Sequence, residues 1–235
     1  MSNVFSSLTG NGLEESQDRL GGFSLLDTDI YVGTIKMAYG GSSASGALNV
    51  TLVFDFDGQE YRETVYVTNK DKQNFYLTSN NKKAPLLGFT TVEDVCLIAT
   101  NNPLAEQNIE DKSIKVYDFE QKTEVLQTVP MFVDLLNKPI AVGIKKRIVN
   151  KKTKADDGSY VETAETREEN FIDKIFHPEL KLTVAEARHE KSADFWDKWI
   201  AANQGKVFDK TKKVAGNTKP ASAQAAPRKS LFAKS

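Results

Sequence analysis

The sequence predicts a mainly β fold, arranged as a small closed or partly closed barrel. Between residues 29 and 165, six or seven short segments are rich in β-branched and aromatic residues. Dipeptides such as Asp57-Gly58 separate neighbouring segments, as they do in β-hairpins. From residue 166 the pattern becomes helix-like, and from residue 206 apolar residues are too few to order the chain.

These changes in composition divide the chain into four parts. Residues 1–28 are rich in Ser, Gly, Asn and Asp and are predicted as an irregular arm. Residues 29–165 form the barrel core, and residues 166–205 form a helical appendage. Residues 206–235 are predicted to be a disordered basic tail.

The first half of the barrel is predicted as an antiparallel meander. Asp29–Tyr39 is the first strand, and Gly33 within it marks a bulge or a tight bend. A glycine-rich loop over residues 40–46 leads to Ala47–Phe56, which alternates apolar and polar residues. Glu60–Thr68 is its partner across the Asp-Gly turn.

The second half of the barrel mixes short strands with small helices. Thr90–Thr100 is predicted as a helix, with a capping box from Thr90 and Glu93 or from Thr91 and Asp94. The further elements are a hairpin of Ser113–Phe119 and Lys122–Val129 through Glu120-Gln121, a helical turn over Pro130–Asn137, and a strand over Pro139–Asn150 that pairs with Ser159–Thr163 across Asp157-Gly158.

The appendage is predicted as two helices, Arg167–Phe176 and Thr183–Asn203. Thr183 and Glu186 have the spacing of a capping box, and Gly205 ends the second helix. Phe195, Trp196 and Trp199 give that helix an aromatic face.

Charge and cysteine content limit the class of protein. The 235 residues carry a net charge of −1, but residues 206–235 carry +7, so any affinity for nucleic acid must come from local patches. The single cysteine, Cys96, excludes an internal disulfide and lies in an apolar run, where we expect it to be buried and inert. No apolar run reaches the ~18–20 residues that span a bilayer and no signal peptide is evident, so we expect a soluble intracellular protein without a membrane partner.

The run from Lys138 to Ala155 collects cations and excludes acids. It holds seven Lys or Arg and no Asp or Glu, interleaved with Ile144, Ile148 and Val149. A folded element of this kind suffers self-repulsion, which an anionic partner such as a phosphate backbone would relieve. A solvated charged face is the alternative.

A second segment, Asn69–Lys83, combines lysines with adjacent aromatic residues. Single-stranded nucleic acid is held by a cationic groove and by aromatic faces on which bases stack. Adjacent aromatics on a strand point to opposite faces, so one of Phe75 and Tyr76 should be core and the other, Tyr76, should stack on bases. Tyr39 is a further candidate, and Tyr61 and Tyr66 are weaker ones. The predicted nucleic-acid-binding residues are Tyr39, Lys70, Lys72, Phe75, Tyr76, Lys82, Lys83, Lys145, Lys146, Arg147, Lys151, Lys152 and Lys154.

The sequence does not point to an enzyme. His177 and His189 lack partners at metal-ligand spacing, and no phosphate-binding glycine loop is present, so we expect no catalytic residue, metal or cofactor. Four acids could serve a two-metal nuclease, but a solvated helix start explains them better. These acids are Glu162, Glu165, Glu168 and Glu169. No helix has the features of a major-groove reader.

Several blocks of the chain resemble one family. They are Leu48–Thr68, the Thr68-Asn69 turn, Pro85–Phe89, Thr166–Asn170, Phe176 with Leu182–Glu186, and Trp199 with Asn203–Lys206. Over most of residues 29–210 the sequence resembles single-stranded DNA-binding proteins of tailed bacteriophages, especially podoviruses that package their own RNA polymerase.

The resemblance implies an OB-fold-like barrel, a role in phage DNA replication and recombination, and the host cytoplasm as the location. Proteins of this class usually end in an acidic tail, whereas this chain ends in a basic one. Leu231-Phe232 is either a docking motif for a partner or part of a tail that adds phosphate contacts.

Three functions follow, in order of preference. The first is a sequence-tolerant single-stranded DNA-binding protein, which could form a homo-oligomer on DNA. The second is a phage regulatory or recruitment protein that contacts a phage or host polymerase, for instance through the tail, with DNA binding secondary. The third is a nuclease that uses the acids of residues 162–169.

Overall fold

A computed structural model of the chain describes residues 25–118, 123–155 and 160–214. The fold is mainly β, as the sequence predicts. Its first three strands are β1 (Asp29–Ser42), β2 (Leu48–Phe56) and β3 (Gln59–Tyr66), which form the predicted meander. The β2–β3 turn has positive φ at both Asp57 and Gly58, which is the geometry that an Asp-Gly pair favours in a two-residue hairpin.

Gly33 lies where β1 bends against β2. A Cβ atom at this position would approach the carbonyl oxygen of Asp55 to 2.1 Å. The register of the two strands shifts between Ile35 and Met37, close to the predicted irregularity. Glycine therefore permits the close backbone contact that this bend requires.

A small hairpin and a helix follow the meander. The hairpin consists of β4 (Phe75–Leu77) and β5 (Lys83–Pro85), and the helix is α1 (Leu87–Thr100). The predicted capping box at Thr90 or Thr91 is wrong, because the helix begins earlier and no side chain caps it. Both threonine hydroxyls instead donate to carbonyls one turn back in the chain.

The remaining strands are longer than the sequence suggests. They are β6 (Ile109–Asp118), β7 (Thr123–Phe132), β8 (Pro139–Lys154) and β9 (Tyr160–Phe176). Short 3-10 turns occur at Leu104–Glu106 and Val133–Leu135. The predicted turns at Glu120-Gln121 and Asp157-Gly158 fall in residues 119–122 and 156–159, outside the described residues.

Strand β9 corrects the predicted start of the helical appendage. Residues 167–176 are not a helix but pair antiparallel with β8 from Ala141 to Val149. Its many charged side chains suit a strand here because they lie beside the cationic half of β8. The helical part is limited to α2 (Val184–Arg188) and α3 (Asp194–Asn203).

The capping box predicted from Thr183 and Glu186 is confirmed at the start of α2. The Glu186 carboxylate accepts hydrogen bonds from the Thr183 N–H at 3.0 Å and from the Phe195 N–H at 2.7 Å. One side chain therefore caps α2 and the start of α3 together.

The predicted tail boundary at residue 206 is also wrong. A short strand, β10 (Val207–Asp209), pairs in parallel with Lys146–Ile148 of β8. Two long-range contacts hold it, because Thr28 Oγ1 donates to the Lys206 carbonyl at 2.5 Å and the Lys212 N–H donates to Asn150 Oδ1 at 2.6 Å. Residues 215–235 lie outside the described residues.

The strands form one branched sheet in the order β10-β8-β1-β2-β3, with β9 on β8 and β7 beside β1. The main core lies on one face of this sheet and includes Phe54, Leu52 and Ile144, with α1 packed against it. A second cluster, built from Phe176, Trp196 and Trp199, packs α3 on the other face of β8. In the described ranges no helix is long and apolar enough to cross a membrane.

The barrel is not closed, because the described part of the chain contains no ladder between β3 and β9. The carboxylate of the half-buried Glu63 on β3 bridges this seam. It accepts hydrogen bonds from the Ile172 N–H on β9 at 2.7 Å and from the Tyr61 hydroxyl at 2.6 Å. One side chain thus substitutes for backbone pairing at this point.

Candidate nucleic-acid interface

The β4–β5 hairpin stands apart from the main sheet. At its base, Asn69 Oδ1 accepts hydrogen bonds from the N–H groups of Asp71 and Gln73 at 3.0 and 2.9 Å. The Leu86 N–H donates to the Asn74 carbonyl at 2.9 Å and joins the two ends of the hairpin. This network gives the hairpin a fixed frame although most of its residues are exposed.

The register of the hairpin separates its two aromatic residues. Tyr76 pairs with Ala84 on one face, whereas Phe75 and Leu77 pair with Pro85 and Lys83 on the other. The Lys83 ammonium lies 4.3 Å from the centre of the half-buried Phe75 ring, and Tyr76 is 54% exposed. The structure therefore places the Tyr76 ring in solvent, where we expect bases to stack, and covers Phe75 with a cation.

The four predicted lysines of this segment are exposed and lack ion-pair partners among the described residues. They are Lys70, Lys72, Lys82 and Lys83. Asp71 is the one acid between residues 69 and 83, so the segment carries a charge of +3. Uncompensated positive charge of this kind is what a phosphate backbone would neutralise.

The second predicted cationic edge is different, because β9 places an acid beside most of its cations. Four ion pairs cross from β8 to β9: Lys145–Asp173 at 3.0 Å, Lys146–Glu168 at 3.0 Å, Arg147–Glu169 at 2.7 Å and Lys151–Glu165 at 3.0 Å. The self-repulsion expected of this run is therefore relieved within the protein. Lys152 and Lys154 have no ion-pair partner within the described ranges.

Lys145 is also enclosed by aromatic rings. Its ammonium lies 4.9 Å from the centre of the Phe208 ring and 5.7 Å from that of Trp199. Trp199 Nε1 in turn donates to Asp173 Oδ2 at 2.6 Å. This lysine belongs to the packing between β10, α3 and β9 rather than to an open cationic edge.

The two lysine groups lie next to opposite ends of β1, so the strand pairing does not bring them together into one trough. Ile144, just before the β8 cations, pairs with Asp29 at the start of β1. Ser42 at the end of β1 pairs with Leu48, whose N–H donates to Thr68 Oγ1 at 2.9 Å beside the hairpin. Roughly 40 Å of strand separates the groups at ~3.3 Å per residue.

Tyr39 lies on the face of the meander that points away from the main core. It pairs with Thr51 on β2 and lies beside the buried Met131 of β7, so its ring is half-buried. Val53 is on the same face and is fully buried. This part of the face therefore offers little free surface for a base.

Tyr66 is a better stacking candidate than its weak sequence pattern indicated. It pairs with Asn49 at the end of the meander next to the hairpin, and it is 51% exposed. Tyr61 instead faces the core, where its hydroxyl donates to Glu63. Because side chains alternate along a strand, counting from the buried Val65 would have placed Tyr61 on the core face and Tyr66 on the exposed face.

The acid cluster lies on β9 and not at a helix start, which corrects its interpretation. Glu162 pairs with Lys212 at 2.8 Å, and the other three acids pair with cations of β8. Within the described ranges, no three His, Cys, Asp or Glu residues are grouped closely enough to hold a metal ion.

Cys96 is buried in α1, and burial raises the pKa of its thiol to about 12. A thiol with this pKa is almost entirely protonated near neutral pH, which makes it a poor nucleophile. His177 Nδ1 accepts from the N–H groups of Glu179 and Leu180 at 3.3 and 3.1 Å and so stabilises a turn.

Comparison with known proteins does not identify a family for this chain. No protein-family model matches the chain, and no curated protein is similar to it. The functional interpretation therefore depends on the residues of the interface themselves.

Proposed function

We propose that this protein binds single-stranded DNA without strong sequence preference, and that the β4–β5 hairpin is the principal contact. The observation that carries the proposal is the exposed Tyr76 ring among four lysines that have no ion pair within the described ranges. A sequence-tolerant site needs a flat ring, on which any base can stack, and cations that track the backbone. Tyr66 extends this surface at the adjacent end of β3.

The architecture supports the same proposal. An OB fold is a five-stranded, partly open barrel whose sheet and loops bind oligonucleotides. We assign β1, β2, β3, β8 and β9 to its five strands, with α1 after the third strand and the Glu63 seam as the opening. The proposed biological role is coating of single strands during phage DNA replication and recombination in the host cytoplasm.

Fluorescence titration with oligo(dT) at two salt concentrations tests the proposal. Each lysine that neutralises a phosphate contributes ~0.7 to the slope of log affinity against log salt for single strands. Lys82→Ala with Lys83→Ala should therefore weaken binding and flatten this slope by about 1.4. Tyr76→Ala should lower affinity by ~1–3 kcal/mol at both salt concentrations, because base stacking is lost.

A matched control removes two lysines that are already paired. Lys112 and Lys151 are about half exposed and form ion pairs with Glu110 and Glu165 at 2.6 and 3.0 Å. Their joint replacement by Ala should leave the salt slope unchanged. Equal effects of the two double variants would rule out the hairpin as the principal contact, and preference for duplex over oligo(dT) would contradict single-strand binding.

A recruitment function is the second candidate, and an apolar groove between α1 and α2 favours it. The groove has a volume of about 440 Å³ and is lined by Leu97, Leu182 and Val184, with the exposed Leu180 at its edge. A polymerase that docks here would lose affinity for Leu180→Asp, whereas binding of oligo(dT) would not change. Loss of both activities together would count against separate surfaces.

A further inference from the structure

The β4–β5 hairpin has two usable faces, although a protein that only coats one strand needs one. Tyr76 is exposed on one face, and Leu77, which is 59% exposed, lies on the opposite face. The two strands pair with each other and with no other described strand. Each face therefore presents one exposed side chain to solvent, while Phe75 beside Leu77 is half-buried.

The cations are distributed along the whole hairpin. Lys70 and Lys72 lie in the turn at its base, while Lys82 ends the loop that connects β4 to β5 and Lys83 begins β5. Lys83 shares the face of Leu77, opposite Tyr76. Each face thus has an apolar side chain, and positive charge lies close to both.

We propose that the hairpin inserts where a duplex opens into two unpaired strands, so that forked DNA is the preferred ligand. This inference deepens the proposed function and rests on it. A ribbon of two strands is ~5 Å wide between its backbones, which suits insertion between separated strands. Tyr76 would stack on a base of one strand, and Leu77 would contact the terminal base pair or the other strand, as apolar wedges do at opened base steps.

The test compares three ligands of matched length: oligo(dT), a blunt duplex, and a duplex with two oligo(dT) arms. The fork should bind several-fold more tightly than oligo(dT), and the blunt duplex should bind least. Leu77→Ala should lower fork affinity by about 5- to 10-fold, in the range found for single base contacts, and leave oligo(dT) affinity unchanged. Tyr76→Ala should lower both.

Leu126→Ala is the matched control, because Leu126 is an equally apolar residue, 72% exposed, on the separate strand β7. It should change neither affinity. If Leu77→Ala lowers the melting temperature, Leu77→Thr replaces it, since threonine keeps the strand propensity and removes the apolar contact.

The outcomes separate the inference from the proposed function. If neither oligo(dT) nor the fork binds, the proposed function fails. If oligo(dT) binds but the fork binds no more tightly, or if Leu77→Ala lowers both affinities equally, the fork inference alone is overturned. A selective loss of fork binding in the leucine variant supports it.

Discussion

The Glu63 side chain joins β3 to β9 at the seam where backbone pairing would close the barrel. Burial in the seam raises its pKa above the ordinary 4.5, although hydrogen bonds from Tyr61 and Ile172 and the charge of Arg147 act in the opposite direction. Burial and the negative charge of Glu63 also raise the pKa of Tyr61, which keeps that hydroxyl protonated and able to donate. The folded protein therefore binds the Glu63 proton more tightly than the unfolded chain does.

This difference sets the sign of a pH effect. As pH rises through 4.5, the unfolded chain loses this proton first, so the contribution of Glu63 to stability falls until the raised folded pKa is passed. Glu63→Gln removes the titration and keeps an acceptor for Ile172. We expect the free energy of unfolding of the variant, relative to wild type, to increase with pH above 4.5. Urea unfolding at a series of pH values measures it.

Glu186→Gln is the matched control with the opposite sign. Burial alone would raise the pKa of Glu186, but hydrogen bonds from Thr183 and Phe195 outweigh it and lower the pKa below 4.5. Its stabilising contribution is complete above 4.5 and is lost as pH falls through the lowered folded value. In the pH range below 4.5, the free energy of unfolding of this variant, relative to wild type, should therefore decrease as pH is raised. Above 4.5 this difference should stay constant. Parallel pH profiles for the two variants would contradict both assignments.

Local alternation predicts single residues well where one face of a strand is buried. The pattern of β2 places Leu52, Phe54 and Phe56 in the core, as the sequence indicates. The role of Glu63 could not be predicted, because it depends on Ile172, which is more than 100 residues away. Alternation from Val65 places Glu63 on the core face of β3, but no local pattern shows that its carboxylate accepts a hydrogen bond from a distant strand.

At the scale of elements, the charges of β8 and β9 are complementary, and each strand accounts for the composition of the other. The cations of β8 and the acids of β9 form a cross-strand ladder of ion pairs, but each strand alone resembles something else: a DNA-binding edge and a helix start. Cross-strand complementarity is a property of two distant segments, so neither segment predicts it. Strand β10 likewise could not be predicted, since only two of its three residues are apolar. The contacts that order this segment come from Thr28 and Asn150, which are distant in sequence.

A charge exchange tests this ladder. Lys146→Glu alone places like charges on the ribbon and should reduce the free energy of unfolding by ~0.5–1 kcal/mol. Adding Glu168→Lys should recover most of the loss, because the 3.0 Å pair is reformed in the opposite sense. Thermal unfolding of the wild type, both single variants and the double variant measures the coupling.

The single variant Lys146→Glu also tests the DNA interface, because it replaces a cation of the originally predicted edge by an acid. Oligo(dT) affinity of this variant should equal that of the wild type. A clear loss of affinity would show that residues 145–154 contribute to the DNA-binding surface.

At the scale of the whole molecule, the sequence predicts the fold class, the meander and α1, while the closure of the sheet and the limits of the folded body depend on distant contacts. Lys146 N–H donates to Thr28 Oγ1 at 2.9 Å, and the Gly205 N–H donates to the Thr28 carbonyl at 2.9 Å. Residues 26–28 and 206–212 thus belong to the folded body, although their composition assigned them to the arm and the tail.

Two truncations measure this boundary. A chain that ends at Val214 should keep the melting temperature of the full chain, whereas one that ends at Gly205 should melt at a clearly lower temperature. The longer deletion removes β10 and leaves the buried Asn150 amide without Lys212, which costs ~1–3 kcal/mol for an unsatisfied polar group. Equal melting temperatures would mean that β10 adds no stability.

The truncation at Val214 also isolates the charge of the final segment. It removes Lys219, Arg228, Lys229 and Lys234 and no acid. If this segment contacts phosphates, oligo(dT) affinity should fall most at low salt.

Because Thr28 touches Lys206, the first and last parts of the folded body meet at one place, at the end of β1 remote from the β4–β5 hairpin. In a chain trimmed to residues 25–214, a surface tether or a bulky fluorescent label at either end would therefore join the body on the side away from Tyr76. Such a trimmed chain is also a candidate for circular permutation, with a linker between residues 25 and 214 and new ends opened elsewhere.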